Sequence, residues 1–315
     1  MNFRVSVIIP AYNAEKFIEK AIHSALQQDE VSEVIVVNDG STDKTGDIIK
    51  KIQNQNAMVK IYDHEHNANQ GRSASRNLGI ENATGNYIAF LDADDFYLPN
   101  RFENDKKLFQ LHSTIDGVYN AIGAHFYRES TTKEFEKLKL FTINKKIDPE
   151  NLFEALISGK YGYFSIDGLT LKKSVFQTIG KFNENLLVSE DTDLFWKMAL
   201  KCRLIAGILD KPVAKRGVHD KNVFNRTELY DIYDLKMYES LYVWSSKKHI
   251  DINTIERFLE RIWIIQFRKK KKLYLYIIYW IQLNLKSPRL LLSHLGIKYF
   301  PLIRLRKNLF PYLYN

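Results

Sequence analysis

Short apolar segments of strand length alternate with segments of helical periodicity through the first hundred residues, and this alternation restricts the fold more than any other feature. Residues 34–37 and 87–91 are apolar throughout, and residues 5–9 and 58–62 are apolar except for Ser6 and Lys60, so these runs are mostly continuous rather than apolar at every second position. Residues 14–28 carry apolar side chains at helical spacing, and we expect Asn13 to cap that helix. Strands buried on both faces and separated by helices predict an α/β fold, with a mostly parallel sheet covered by helices on both sides.

Polar residues follow three of the four predicted strands. Ala11, Tyr12 and Asn13 come after the first strand, Asp39 after the second, and the run 92–95, Asp-Ala-Asp-Asp, after the fourth. Ligands of such sheets bind beyond the carboxyl ends of the strands, where the loops converge. The sequence therefore predicts a ligand site with several carboxylates at one edge of the sheet.

Asp92 and Asp94 flank a small residue at the end of a predicted buried strand. Two carboxylates this close repel each other unless a cation lies between them, and a hard divalent ion shared with a diphosphate would relieve the repulsion. An acidic turn or a helix cap is the alternative interpretation. The chain has neither the G-x-G-x-x-G dinucleotide motif after the first strand nor a P-loop, so a glycine loop does not supply a phosphate site.

Three further positions each allow a functional and a structural interpretation. Asp39 can accept a hydrogen bond from a base N–H, or it can belong to the first turn of the helix that contains Ile48. Glu190 and Asp191 precede a helical segment, where an acidic residue can cap the helix or act as a general base. His219 can bind a metal or a phosphate, although an isolated histidine is usually a surface residue.

Composition and charge exclude several classes of protein. The chain of 315 residues has one cysteine, Cys202, which excludes an internal disulfide framework and is typical of a reducing compartment. We find no secretory signal and no run of about 18 apolar residues, so we expect a cytoplasmic protein. The net charge is +9, and residues 257–315 alone contribute 13 basic residues against one acidic residue, Glu260.

This basic segment, rich in aromatic side chains, allows two interpretations. It can form helices that lie on an anionic membrane surface, or ordinary helices that pack on the catalytic region and expose their basic faces. No recognition motif favours nucleic acid as a partner.

Five motifs occur in the order typical of one enzyme family: VSVIIPAYNAEKFI, VNDGSTDKT, NQGRSASRN, FLDADD and SEDTDLFWK. The chain resembles the bacterial family 2 glycosyltransferases of GT-A fold from residue 4 to about residue 200. The family's processive synthases carry a Q-x-x-R-W motif and several membrane spans, neither of which we find. The resemblance therefore implies a non-processive enzyme that adds one sugar, or a few, with inversion at the anomeric carbon.

The resemblance also implies site residues. The nucleotide sugar, expected to be a UDP-sugar, would contact Pro10, Ala11, Tyr12, Asp39, Asn69, Gly71, Arg76, Asp92 and Ala93. A divalent cation, Mn or Mg, would bind Asp94, Asp92 and His219. Asp191 would be the catalytic base, with Glu190 beside it near the acceptor.

The implied organisation is a nucleotide-sugar-binding half over residues 1–101, an acceptor-binding half over 102–225 that contains the base, and a helical basic region over 226–315. The acceptor would be a saccharide or a lipid-linked saccharide used in surface polysaccharide synthesis, at a peripheral position on the inner membrane. The alternatives are a sugar-phosphate nucleotidyltransferase and a non-catalytic module that binds a sugar nucleotide or a membrane.

Overall fold

The computed structural model describes residues 3–220, 222, 226–291 and 293–309. The chain forms two compact units, Met1–Arg226 and Thr227–Asn315. The described residues of the first unit form ten strands: β1 (Val5–Ala11), β2 (Val31–Asn38), β3 (Val59–Asp63), β4 (Tyr87–Phe90), β5 (Phe96–Tyr97), β6 (Gly117–Tyr119), β7 (Gly123–Phe126), β8 (Leu169–Lys172), β9 (Leu204–Ala206) and β10 (Ala214–Val218). Its α-helices are α1 (Ile18–Leu26), α2 (Thr45–Gln55), α3 (Arg72–Asn82), α4 (Glu103–Leu111), α5 (Thr132–Leu138), α6 (Leu152–Ser158), α7 (Val175–Ile179) and α8 (Glu190–Lys201).

A seven-stranded sheet with strand order β3-β2-β1-β4-β8-β6-β9 is the centre of the first unit. Strand β1 pairs in parallel with β2 and β4, and the pairs β2–β3 and β6–β9 are also parallel. Strand β8 runs antiparallel to both of its neighbours, β4 and β6. The sheet is therefore mostly parallel. A separate three-stranded sheet has the order β5-β10-β7.

Helices cover both faces of the large sheet, as predicted. Val7 and Ile9 of β1 point into a core that they share with apolar residues of α1 and α2. Ile8 points to the other face and contacts α3 at Gly79, where a Cβ atom would overlap the Ile8 side chain. Glycine at this position therefore lets α3 pack closely on β1.

The predicted helix cap at Asn13 is wrong. Helix α1 begins at Ile18, and Phe17 occupies the position before it. Asn13 has a φ of 48°, and its side chain instead accepts a hydrogen bond from the Thr42 amide at 2.8 Å. Asn13 thus joins the loop after β1 to the loop after β2.

The second unit is helical. It contains α9 (Thr227–Lys247), α10 (Ile252–Arg268), α11 (Leu273–Leu285), α12 (Pro288–Leu291), α13 (His294–Lys298), α14 (Pro301–Arg304) and α15 (Arg306–Leu309). Within the part of the chain that the structure describes, each helix is too short or too polar to span a bilayer.

Candidate active site

A buried arginine joins the acidic motif that follows β4 to the acidic motif that begins α8. The Arg76 guanidinium is fully buried, and its Nη2 donates a hydrogen bond to Asp92 Oδ1 at 2.7 Å. Its Nη1 donates to Asp191 Oδ1 at 2.8 Å and to Glu190 Oε1 at 3.2 Å. Three carboxylates that lie far apart in sequence therefore meet around one cation.

The position of Arg76 follows from the local sequence of α3. Gly71 precedes this helix with a φ of 87°, a left-handed conformation that glycine adopts without strain. Arg72 and Arg76 are four residues apart and therefore lie on the same face of the helix. Arg72 forms an ion pair with Glu190 and donates a hydrogen bond to the Leu187 carbonyl oxygen at 3.1 Å.

Asp92 and Asp191 remain accessible although Arg76 does not. Their side chains are 30% and 32% exposed, whereas that of Arg76 is inaccessible. Burial opposes ionisation of Asp92, but the charges of Arg76 and Arg72 outweigh it and lower the pKa of this carboxyl. Arg76 is the only described residue that donates a hydrogen bond to Asp191, so Asp191 Oδ2 can interact with another molecule.

Glu190 is the buried member of the cluster. Two guanidinium groups, those of Arg72 and Arg76, face three carboxylates, so the cluster has excess negative charge. Burial, together with the charge of Asp191, raises the pKa of Glu190 to about 7 despite both arginines. The helix-cap interpretation is wrong for Glu190, since it lies within the first turn of α8 and Ser189 occupies the cap position.

Asp94 lies in a second group of polar side chains. Asp94 Oδ2 is 2.9 Å from His219 Nε2 and accepts a hydrogen bond from Asn222 Nδ2 at 3.1 Å. The ring of Phe17 stacks on His219 with a centroid distance of 5.1 Å and an interplanar angle of 9°. Burial and the charge of Asp92 raise the pKa of Asp94, so the uncompensated carboxyl would be stabilised by a cation.

These groups provide a donor set that fits Mn²⁺ or Mg²⁺. The carboxylates of Asp92 and Asp94 supply hard oxygen ligands, and Mn²⁺ also accepts an imidazole nitrogen. Asp94 Oδ2 and His219 Nε2 lie 2.9 Å apart, within hydrogen-bonding distance. The chemistry of the three residues predicted as metal ligands therefore suits such an ion.

Asp92 also belongs to a separate acidic cluster with Asp95 and Asp167, in which one carboxylate oxygen from each residue lies within 4.8 Å of the other two. The buried members already have protein partners. Asp95 Oδ1 accepts from the Gly217 amide at 2.8 Å, while the Asp167 oxygens accept from the Asp92 amide at 3.2 Å and from Ser165 Oγ at 3.0 Å. Burial and the charge of Asp167 raise the pKa of Asp95 well above its usual range. This cluster therefore fixes the loop after β4.

Asp39 fixes the loop that precedes α3. Its Oδ1 accepts from the Gln70 amide at 2.7 Å and its Oδ2 from the Gly71 amide at 3.0 Å. The interpretation of Asp39 as part of the first turn of α2 is wrong, because that helix begins at Thr45. His64 Nε2 lies 3.5 Å from Asp39 Oδ1.

The other predicted nucleotide contacts lie near these loops. Pro10 and Ala11 end β1, where they pair with Val37 and Asn38 of β2. Tyr12 follows and is exposed, Asn69 is exposed in the loop bound by Asp39, and Ala93 is buried between Asp92 and Asp94.

Sequence reasoning missed three residues of this region, His64, Arg72 and Asp167, and it placed Asp95 in the acidic run after the fourth strand without giving it a role. Arg72 is detectable, because it precedes Arg76 by four residues in a helix. Asp95 is adjacent to a residue that we did identify. Nothing in the local sequence marks His64 or Asp167, since their partners lie in other loops.

The chain is similar in sequence to known glycosyltransferases. The model of the family described as "Glycosyl transferase family 2" matches residues 6–167, more than half of the chain. An uncharacterized glycosyltransferase of Haemophilus influenzae is 39% identical over 145 residues, which cover 46% of this chain and 54% of that relative. The chain thus spans about half the length of this curated relative.

Two solved structures are similar in fold. Residues 1–349 of S. aureus TarS, in complex with UDP-GlcNAc, have a TM-score of 0.61 and 21% identity, covering 84% of this chain and 73% of that one. Mannosyltransferase PcManGT from Pyrobaculum calidifontis, in complex with GDP-Man and Mn²⁺, has a TM-score of 0.52 and 16% identity, covering 98% and 87% respectively. These similarities confirm the predicted GT-A fold.

Proposed function

Because this chain belongs to glycosyl transferase family 2, we propose that it moves a single sugar from a nucleotide sugar to a saccharide hydroxyl, with inversion and with a divalent cation. The family match and the glycosyltransferase relatives confirm that the protein is a transferase enzyme. The donor, the metal and the acceptor belong to our proposal.

The observation that carries the proposal is the position of Arg76 between Asp92 and Asp191. Its two terminal nitrogens bind one oxygen of each carboxylate at 2.7 and 2.8 Å. A carboxylate expected to contact the donor and another expected to activate the acceptor are thus side by side. Inverting transfer needs a base and a donor-binding group at the same site, because the acceptor oxygen attacks the anomeric carbon while the bond to the leaving group breaks on the opposite side.

We assign the proton transfer to Asp191. One of its oxygens is held by Arg76, which orients the carboxylate, and Oδ2 would take the proton of the acceptor hydroxyl as that oxygen attacks the anomeric carbon. The bond between the anomeric carbon and the donor diphosphate breaks in the same step. Glu190 is buried behind Asp191 and would hold Arg72 and Arg76 in place rather than touch the acceptor.

We propose that Asp92, Asp94 and His219 hold Mn or Mg. When bound, such an ion acts as a Lewis acid that neutralises negative charge on the departing diphosphate. The proximity of Asp94 Oδ2 to His219 Nε2, at 2.9 Å, and the partial exposure of both side chains support this assignment.

The donor we propose is a UDP-sugar. The base would lie against Pro10, Ala11, Tyr12 and Asp39, and the rest of the donor against Asn69, Gly71, Arg76, Asp92 and Ala93. The ligands named for the two structural relatives, UDP-GlcNAc and GDP-Man, support a nucleotide sugar. The acceptor would be a glycan or a lipid-linked saccharide in surface polysaccharide synthesis, reached from the cytoplasm.

The test is transfer or hydrolysis of a panel of UDP- and GDP-sugars, with the released nucleotide identified. We expect Asp191→Asn to lower kcat by about 10²–10⁴-fold while leaving the dissociation constant of UDP unchanged. Asp210→Asn, an exposed Asp-to-Asn change outside the site, should behave as wild type. Near-normal turnover by Asp191→Asn would exclude it as the base, and release of pyrophosphate would indicate a nucleotidyltransferase.

Metal dependence needs its own experiment. A chelator should abolish turnover, and added Mn²⁺ or Mg²⁺ should restore it. Asp94→Asn should then require a higher metal concentration for half-maximal activity, whereas Asp210→Asn should not. Full activity in excess chelator would exclude the metal part of the proposal.

A further inference from the structure

Helix α11 exposes an apolar stripe to solvent. Tyr274, Ile278, Ile281 and Leu285 follow one another at intervals of four, three and four residues, so they lie on one face of the helix. All four are exposed, Leu285 to 68%. The opposite face contains the buried Tyr276 and Leu283, so the helix is already anchored in its own unit through that face.

Basic side chains stand at both ends of this stripe. The exposed run 269–272, four lysines, precedes the helix, and the exposed Lys286 and Arg289 follow it. Residues 257–315 carry 13 basic residues against the single acidic Glu260, a balance of +12. The second unit as a whole, residues 227–315, carries 16 basic and seven acidic residues, a balance of +9. Lys286 lies 3.7 Å from Glu239, so the positive charge beside the stripe comes mainly from the lysines of 269–272.

We propose that this stripe and its flanking basic residues bind the surface of an anionic lipid bilayer. The 13 residues of α11 span about 20 Å, shorter than the apolar core of a membrane, so the helix would lie parallel to the surface. Its apolar side chains would enter the region between headgroups and acyl chains, and the lysines would contact the lipid phosphates.

Charge favours this occupant over the alternatives. A second copy on the same face would bring two units of net charge +9 together, which repel each other. A nucleic acid would match the charge, but three of the four stripe residues are aliphatic and offer bases little stacking surface. A negatively charged bilayer satisfies the charge and the apolar stripe together.

The inference is independent of the proposed reaction, because it depends only on the exposed stripe and the charges of the second unit. Vesicle flotation of the full chain measures it directly. We expect binding to vesicles of phosphatidylcholine with 30% phosphatidylglycerol at about 100 mM salt, at least tenfold stronger than binding to pure phosphatidylcholine. High salt should weaken binding to the anionic vesicles.

Two sets of variants separate the apolar and electrostatic contributions. The double variant Ile278→Ser Ile281→Ser should reduce vesicle binding at least tenfold. A single Lys-to-Gln change at any of positions 269–272 should reduce it about fivefold. Leu111→Ser, at an exposed leucine of the first unit, is the matched control and should bind as wild type. Circular dichroism and hydrolysis of a soluble nucleotide sugar report folding and activity separately.

Several outcomes would overturn the inference. These are equal binding to neutral and anionic vesicles, no binding to either, or unchanged binding by the Ile278→Ser Ile281→Ser variant. A wild-type dimer that this variant converts to monomer would assign the stripe to a second copy. Binding to oligonucleotides that displaces the vesicles would assign it to nucleic acid. If the wild-type chain binds anionic vesicles but transfers no sugar, the proposed function is contradicted and the membrane inference is not.

Discussion

Asp92 and Asp191 are held next to each other because each accepts a hydrogen bond from a different terminal nitrogen of Arg76. One buried side chain therefore sets the separation of the two carboxylates. Any change to its shape should act on both at once, even when its charge is kept.

The first prediction concerns Arg76→Lys and Arg76→Ala. Lysine keeps the charge but donates from one nitrogen instead of two separated ones, so it cannot hold both carboxylates at their present separation, and we expect kcat to fall at least tenfold. Alanine removes the ion pairs of Asp92 and Asp191 and leaves the buried Glu190 with Arg72 alone, and it should lower the free energy of unfolding by about 3–5 kcal/mol, measured in urea. Arg203→Lys, at a mostly exposed arginine, should change stability by less than about 0.5 kcal/mol. Full activity of Arg76→Lys would show that bridging is dispensable.

The second prediction concerns Asp39, whose two oxygens accept the amides of Gln70 and Gly71. In Asp39→Asn the side-chain NH2 group would face one of these amide donors, so the loop that precedes α3 should move. The variant also loses the carboxylate proposed to accept a hydrogen bond from the nucleotide base. We expect the dissociation constant of UDP to rise at least tenfold by calorimetry. Asp29→Asn, at an exposed site, should leave it unchanged. Wild-type affinity in Asp39→Asn would remove Asp39 from the donor site.

The third prediction concerns the pH dependence of stability through Glu190. Burial and the Asp191 charge raise its pKa from 4.5 to about 7. A carboxyl whose pKa is higher in the folded state stabilises the fold fully below its unfolded pKa, and that contribution is lost as the pH rises through the folded value. Stability of the wild type relative to Glu190→Gln should therefore fall by roughly 3 kcal/mol between pH 4.5 and 8.

Urea unfolding at several pH values, without metal or donor, measures this difference. Glu136→Gln, an exposed change in α5, should differ from wild type by less than about 0.5 kcal/mol at every pH. A constant difference between wild type and Glu190→Gln over this range would contradict a raised pKa.

The strands of the first hundred residues could be predicted from sequence because buried strands are locally rich in apolar residues. Residues 5–9 are apolar except for Ser6, and β1 is indeed buried on both faces. The predicted helix boundaries were less accurate than the predicted strands where a polar side chain binds another loop. Asn13 has the chemistry of a cap, but the amide of Thr42 takes its side-chain oxygen instead.

The site was predictable only where its residues lie in motifs or follow strands. Asp92, Asp94 and Asp191 fall in such positions, and Arg76 came from the family resemblance alone. Asp167 was missed because it follows a region without clear periodicity, and its contact with the Asp92 amide depends on the antiparallel pairing of β8 with β4. Long-range pairing of this kind leaves no trace in a local pattern.

The last prediction concerns Gly217, which lies in β10 against the loop after β4. Its amide donates to Asp95 Oδ1, and its carbonyl oxygen accepts from Asn222 Nδ2, which also binds Asp94. A Cβ atom at this position would overlap the Asp94 carbonyl oxygen. Gly217→Ala should therefore displace Asp94 and lower the free energy of unfolding by about 1–3 kcal/mol.

If Asp94 binds the metal, the same displacement should raise the Mn²⁺ concentration for half-maximal activity at least fivefold. Gly46→Ala in α2 is the matched control, because its added Cβ would find no atom closer than 3.9 Å, and it should leave the metal titration unchanged. A loss of stability in Gly217→Ala with a wild-type metal titration would mean that the overlap is relieved without moving the Asp94 carboxylate. Metal binding would then tolerate a shift of the β4 loop backbone, and His219 would become the residue to test for the position of the ion.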